Sequence, residues 1–234
     1  MRNLSRLVFL AAMTVTVVMV GCHKDKDDDA PATSIVKNNI SVTVPDVDPQ
    51  VENVKLLVDC TIHLNWVVDE QTGEGKFTTN VTGQEIARGS FSGGKLTMNL
   101  PATVNNEYLE SMYENAEVPA GISVSNSSAK GIGGFLVGYD RDENTLGWFF
   151  YGKYDRKKEE FLMAALTYVD NDVLITGKTS IYDEYIKATA IFDCNFMKGW
   201  NFMYVIFSGD DEVDLVTKTT TTNPGGLVWL FEKF

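Results

Sequence analysis

Four runs in the second half of the chain, residues 147–151, 161–169, 202–207 and 227–231, are apolar at odd and even positions alike. In a β-strand successive side chains point to opposite faces, so Trp148 and Phe150 project one way, Phe149 and Tyr151 the other. A strand apolar on both faces must be covered on both. Three covers are open to this chain: a helix, a β unit built from the first half, or the ligand-filled interior of a barrel. Polar turn clusters at 140–144, 155–158, 170–171, 208–211 and 223–226 separate the runs and imply an antiparallel meander.

The first half also reads as strands, in a simpler style. Residues 40–44 alternate apolar and polar, the mark of a strand with one wet face, and 54–58 and 62–68 continue in β-branched residues. Residues 84–91 and 95–100 flank Ser92-Gly93-Gly94, a hairpin in which glycines take the positive-φ positions. Pro101 ends the second of these strands. Leu109, Met112, Tyr113 and Ala116 recur at helical spacing and predict one short amphipathic helix near 106–117, capped by Asn105 or Asn106 and stopped by Pro119 to Gly121. A Pro-, Gly-, Asn- and Ser-rich stretch at 118–130 divides the body. The expected class is all-β: an antiparallel sandwich-type unit over 35–126, then a second antiparallel β unit over 127–234, a meander or partly closed barrel. With 234 residues there is chain enough for one or two such units.

The N-terminus carries an address. Arg2 and Arg6 precede an apolar run over 7–20, too short to span a membrane comfortably and suited to the core of a signal peptide over 1–21. Met19-Val20-Gly21-Cys22 closes it. A small residue before cysteine after such a run resembles the lipobox of bacterial lipoproteins, with Met19 where those proteins usually carry Leu. The resemblance implies cleavage before Cys22 and acyl chains on its sulfur and new amine. Lys24, Asp25, Lys26, Asp27, Asp28 and Asp29 follow. This run is similar to the export signal that sends Bacteroidota lipoproteins to the outer face of the outer membrane. It is equally a solvated spacer, since charge blocks stay extended. From Cys22 to Ser34 the tether reaches at most roughly 40 Å. The expected partner on this side is the membrane, held through lipid worth about 0.8 kcal/mol per buried methylene. A formal charge of −12 offers no basic patch to do it instead. The same charge argues against a nucleic-acid partner.

Residues 91–101, Phe-Ser-Gly-Gly-Lys-Leu-Thr-Met-Asn-Leu-Pro, resemble a segment of all-β Bacteroidota lipoproteins whose small sandwich is transthyretin-like. The resemblance carries a fold and no function.

Chemistry is sparse. The body has one histidine, His63, so a serine triad or zinc site has little to build on. Gly177-Lys178-Thr179 lacks the glycine a phosphate loop needs five residues earlier, where Asp172 stands. Gly131-Ile132-Gly133-Gly134 has Leu136 in place of the last glycine of a dinucleotide fingerprint, and both segments read as strand or bulge glycines. Asp140 to Asn144 begins like a calcium loop but has Thr145 for the turn glycine, which favours an Asp/Asn hairpin turn. No cofactor or metal is expected. An oxidising envelope permits a Cys60–Cys194 disulfide, and buried unpaired thiols fit as well. Trp66, Trp148, Trp200 and Trp229 all sit in apolar runs. Trp200, between Lys198-Gly199 and Asn201, is the one expected near a surface and the tentative binding aromatic.

The expected function is therefore non-catalytic: a lipid-anchored outer-membrane protein facing the cell exterior that binds or displays toward a glycan or protein. The alternatives are a calycin-like carrier of a hydrophobic small molecule and a carboxylate-dependent hydrolase. The first reading requires an exposed aromatic patch, the second an apolar cavity, the third two acids about 5–9.5 Å apart across a cleft.

Overall fold

The computed structural model describes residue 36 and residues 38–68, 75–112, 118–155, 160–182, 187–210 and 214–234. The expected signal segment over 1–21, Cys22 and the acidic run 24–29 lie outside them. The fold is all-β, as the strand patterns require. The first half forms β1 (Asn39–Thr43), β2 (Asn53–Val68), β3 (Gly75–Ser92), β4 (Lys95–Asn99), β5 (Glu110–Ser111) and β6 (Ile122–Val124). The second forms β7 (Lys130–Tyr139), β8 (Thr145–Asp155), β9 (Glu160–Val169), β10 (Val173–Tyr182), β11 (Lys187–Phe196), β12 (Gly199–Asp210), β13 (Asp214–Thr220) and β14 (Val228–Lys233).

These strands join one sheet in the order β1-β4-β3-β2-β7-β8-β9-β12-β13-β11-β10-β6, with β14 on β8 and β5 on β7. Pairing is antiparallel except between β11 and β13, which run parallel. Hydrogen bonding is unbroken from the first half into the second, because β2 pairs with β7 over Asn53–Leu57 and Phe135–Tyr139. β7 then splits its other edge: Leu136 to Tyr139 pair with β8, and Gly131 to Gly134 pair with β9. A close approach requires the glycine at 134, where a Cβ would sit 2.7 Å from Leu56 Cδ1. The β3–β4 hairpin turns on Gly93 and Gly94 at φ 59° and 77°, the mirror-image turn that matches strand twist.

Residues opposite one another on neighbouring strands share a face. One face carries Phe149, Tyr151, Leu166, Trp200, Leu136, Leu56, Leu96 and Ile40. Most of these meet in a single cluster, so the sheet curls until β1 and β4 pack across onto β8, β9 and β12. Val36 N–H donates to the carbonyl of Trp200 at 3.0 Å and pins the segment before β1 to this core. The first β unit is thus the cover for the Phe149 face. The opposite face, carrying Trp148, is buried elsewhere. On β9, β10, β11 and β12 its side chains Val169, Val173, Ile175, Cys194, Phe196 and Met203 close a second core. Met163, Val205 and Phe207 form a third patch beside it.

The short helix is not formed. Residues 106–108 make a single 3-10 turn with Asn105 at its cap, and Glu110 and Ser111 then run extended against Gly131 and Lys130. The helical spacing has another cause: Leu109 enters the main core, whereas Met112 packs on the second. Residues 113–117 lie outside the described residues.

Candidate functional site: an aromatic strip on two neighbouring strands

β8 is apolar on both faces, and the two are covered unevenly. Phe149 is 3% exposed in the main core. Trp148 and Phe150, on the other face, are half-buried beside Val137, which is 1% exposed in a small core with Leu57, Val81 and Tyr139. β7 adds Phe135 to the same face. The Phe135 and Trp148 rings stack with centroids 6.3 Å apart, and Trp148 and Phe150 are 5.5 Å apart. Such spacings keep a row of aromatic edges and faces at fixed separation. β14 borders the row, placing Leu230 opposite Phe150 and Glu232 opposite Trp148. Val228, next along β14 on this face, is 54% exposed.

The Glu232 side chain is half-buried and makes no hydrogen bond or ion pair among the described residues. Burial alone holds its carboxyl above the ordinary glutamate range. The charges at the far end of the face behave differently. Arg88 grips Glu85 through two hydrogen bonds of 2.9 Å and reaches Glu143 at 2.8 Å. Lys55 bonds Glu143 and lies 4.2 Å from the centre of the Tyr139 ring. The hydrogen bond from Arg88 holds Glu85 below the usual carboxylate range, and those from Lys55 and then Arg88 do so for Glu143. Two cations and two carboxylates cancel there, and neither carboxylate is poised to keep a proton for acid catalysis.

On the other side of the strip, the face continues to Gly133 and Thr167, paired across β7 and β9. No described atom lies within 4 Å of where a Gly133 Cβ would be, and the buried Thr167 hydroxyl has no hydrogen-bond partner. A separate open groove of about 840 Å³ runs between the 43–52 segment and the β3–β4 hairpin. Its aromatic, Phe91, is committed to Phe149 at 5.6 Å, so the groove presents no free ring.

The remaining site residues sort as follows. Trp200 is not near a surface: it is 2% exposed, meets Tyr168 edge-on at 5.4 Å, and donates its indole N–H to the Pro101 carbonyl at 2.9 Å. Its polar neighbour misleads, because Asn201 is fully buried and spends its amide closing the turn at Met197 and Gly199. Cys60 and Cys194 are both free, in different clusters, with burial pushing each thiol up to about 12. The disulfide is therefore not formed. Trp229 stacks on Tyr151 at 5.5 Å on the covered face. His63 and Trp66 lie on β2 opposite Asn80 and Phe77, with side chains outside the description. Asp140 accepts from the amides of Asp142 and Asn144 at 2.9 and 2.8 Å, the Asp/Asn turn expected from its sequence. Gly177 and the 131–134 glycines are strand residues.

Trp148 is the residue that sequence reasoning passed over, since its run looks like core. The available signal was Glu232, an acid interrupting an apolar strand. No family model, no curated protein and no solved structure matches the chain.

Proposed function

We propose that this chain is a lipid-anchored cell-surface protein with a non-catalytic binding role, and that the strip of Phe135, Trp148 and Phe150 is the surface it offers to a glycan or protein partner. The observation that carries the reading is an ordered, partly exposed aromatic row on paired strands, bordered by the exposed Val228. Flat rings on rigid strands bind at small entropic cost. The lipid on Cys22 and the acidic run after it supply position: one holds the body at the outer membrane, the other spaces it outward.

A carrier role for a hydrophobic small molecule is the second reading. It is favoured by the open space over Gly133 beside the unpartnered hydroxyl of Thr167, a lone polar point on an apolar face.

The test has two arms. Protease shaving of intact cells should remove the wild-type body, and Cys22→Ala should release or misplace it. The released protein, probed on glycan and protein arrays beside its Trp148→Ala form, should lose its partner when the indole goes. A partner retained in full by Trp148→Ala would falsify the strip as the binding surface.

A further inference from the structure

Four large hydrophobic side chains stand exposed among the described residues, and two of them share one corner of the sheet: Leu174 at 44% and Met197 at 38%. Leu174 lies opposite Asn195 across β10 and β11, and Met197 follows two residues on, just past the end of β11. Residues set diagonally across a strand pair stand about 7–8 Å apart on one face, close enough to meet a single surface. The core does not use this pair, since Val173, Ile175, Cys194 and Phe196 turn the other way to form the second cluster. The backbone beneath the pair is braced. The Ser125 hydroxyl accepts from the Leu174 N–H at 2.9 Å, and the Asp172 carboxylate accepts from the Lys198 N–H at 2.7 Å. Lys198 and Asp172, both exposed, border the two apolar side chains.

The corner also lies where the chain enters the body. Val36, the first described residue, donates its N–H to the carbonyl of Trp200, three residues beyond Met197. β1 then carries the chain away from Val36 to the Gly93-Gly94 turn, where the Val44 N–H meets the Gly94 carbonyl, about 16 Å farther on. We propose that this corner is the face the body sets on a lipid bilayer, with Leu174 and Met197 entering the headgroup region and Lys198 at the level of the phosphates. The inference rests on the lipid anchor read at Cys22 and goes beyond it, from a tether to a seated orientation. The bilayer is the occupant because of where the outside chain ends: lipid on Cys22 brings Val36, and this corner with it, to the membrane first. The tether sets the greatest separation, roughly 40 Å, and leaves the smallest free. Two partly exposed side chains bind too weakly to hold a free protein on a membrane. A flexible link raises their effective concentration to about millimolar, which is what so small a contact needs. Seated this way, the body turns its Gly93-Gly94 end outward.

The experiment places the full lipidated chain in phosphatidylcholine vesicles with brominated acyl chains and reads a fluorophore on one introduced cysteine. Ser127→Cys reports the corner, two residues from the Ser125 that holds Leu174, and Ser92→Cys reports the far turn. Both serines are exposed, and the unsubstituted chain gives the background from Cys60 and Cys194. Bromolipid should quench the Ser127 label about threefold more than the Ser92 label. Leu174→Ser combined with Met197→Ser should bring quenching at Ser127 down to the Ser92 level. Flotation with the vesicles and the thermal melt should stay as they were.

Equal quenching of the two labels on a chain that floats overturns the seat and leaves the anchor standing. Quenching at Ser127 that survives the double substitution overturns it as well. A Ser127 label that is shielded without bromolipid quenching, and more so as protein concentration rises, overturns the bilayer in favour of a second copy of the chain. A chain that does not float overturns the anchor and the seat together, so the two readings fail distinguishably.

Discussion

β8 and β9 are written in the same alphabet, and the fold treats them differently. On β9 both faces are closed: Leu162, Leu166 and Tyr168 face the main core, and Met163, Thr167 and Val169 face the other way, all under 9% exposed. On β8 only Phe149 is closed off; Trp148 and Phe150 on the other side, and Tyr151 beside Phe149, are half-buried. The first face is buried in the main core, the second in smaller cores at β2, β3 and β7 and again at β9 to β12. β9 gives fully buried side chains to both faces and β8 only to the first. Two-sided apolarity therefore states what a strand tolerates; how much cover it receives is decided by where the sheet bends.

The largest test of that contrast is a paired truncation. Leu166→Ala on β9 should cost about 3 kcal/mol, since little around it can relax into the gap. Phe150→Ala on β8 should cost about 2 kcal/mol, because part of the ring is already in water. Urea denaturation of the two variants measures both, and equal losses would break the comparison. Next, Thr167→Val should stabilise the protein by about 1 kcal/mol, by replacing a buried unpartnered hydroxyl with a methyl group. A loss instead would mean that the hydroxyl has a partner in solution.

The smallest effect is in pH, and it sets the two ends of the Trp148 face against each other. Glu232 holds its proton more tightly when folded, so its contribution to stability falls as pH rises upward from the ordinary value of 4.5. Glu85 and Glu143 are shifted the other way: their contribution is present above that value and lost as pH falls below it. Glu232→Gln should remove the alkaline-side decline and leave the acid-side loss intact. Glu143→Gln should shrink the acid-side loss, Glu85 still contributing its share, and leave the alkaline-side decline intact. Thermal melts between pH 3 and pH 8 separate them, and one shared slope in both variants would count against the assignment.

Much of this architecture was legible. The β1 alternation, the Gly93-Gly94 hairpin and the doubly apolar runs all emerge as strands. The illegible parts have specific physical causes. Leu109 and Met112 mimic a helix face because an extended segment drops one side chain into each of two cores. Trp200 looked exposed because its neighbours are polar, yet Asn201 is polar for the sake of a buried turn. β10, β11 and β13 are mixed in polarity, with Thr, Lys and Asp among their apolar residues, so no period stood out. The strip itself was half-visible: the aromatics were plain in the sequence, but their exposure depends on which strands stack over them, which no local pattern encodes.

The place of β13 also bears on how the chain reaches its final form. It lies between β12 and β11, antiparallel to one and parallel to the other, although both precede it in the chain. Until residues 214–220 arrive, two strands stand with facing open edges and nothing to join them. During N-to-C synthesis that gap persists almost to the end, and its closure is a late, non-local event. A nascent chain halted before Asp214 is thus a molecule with two adhesive edges, which must be kept apart from other copies until the wedge goes in.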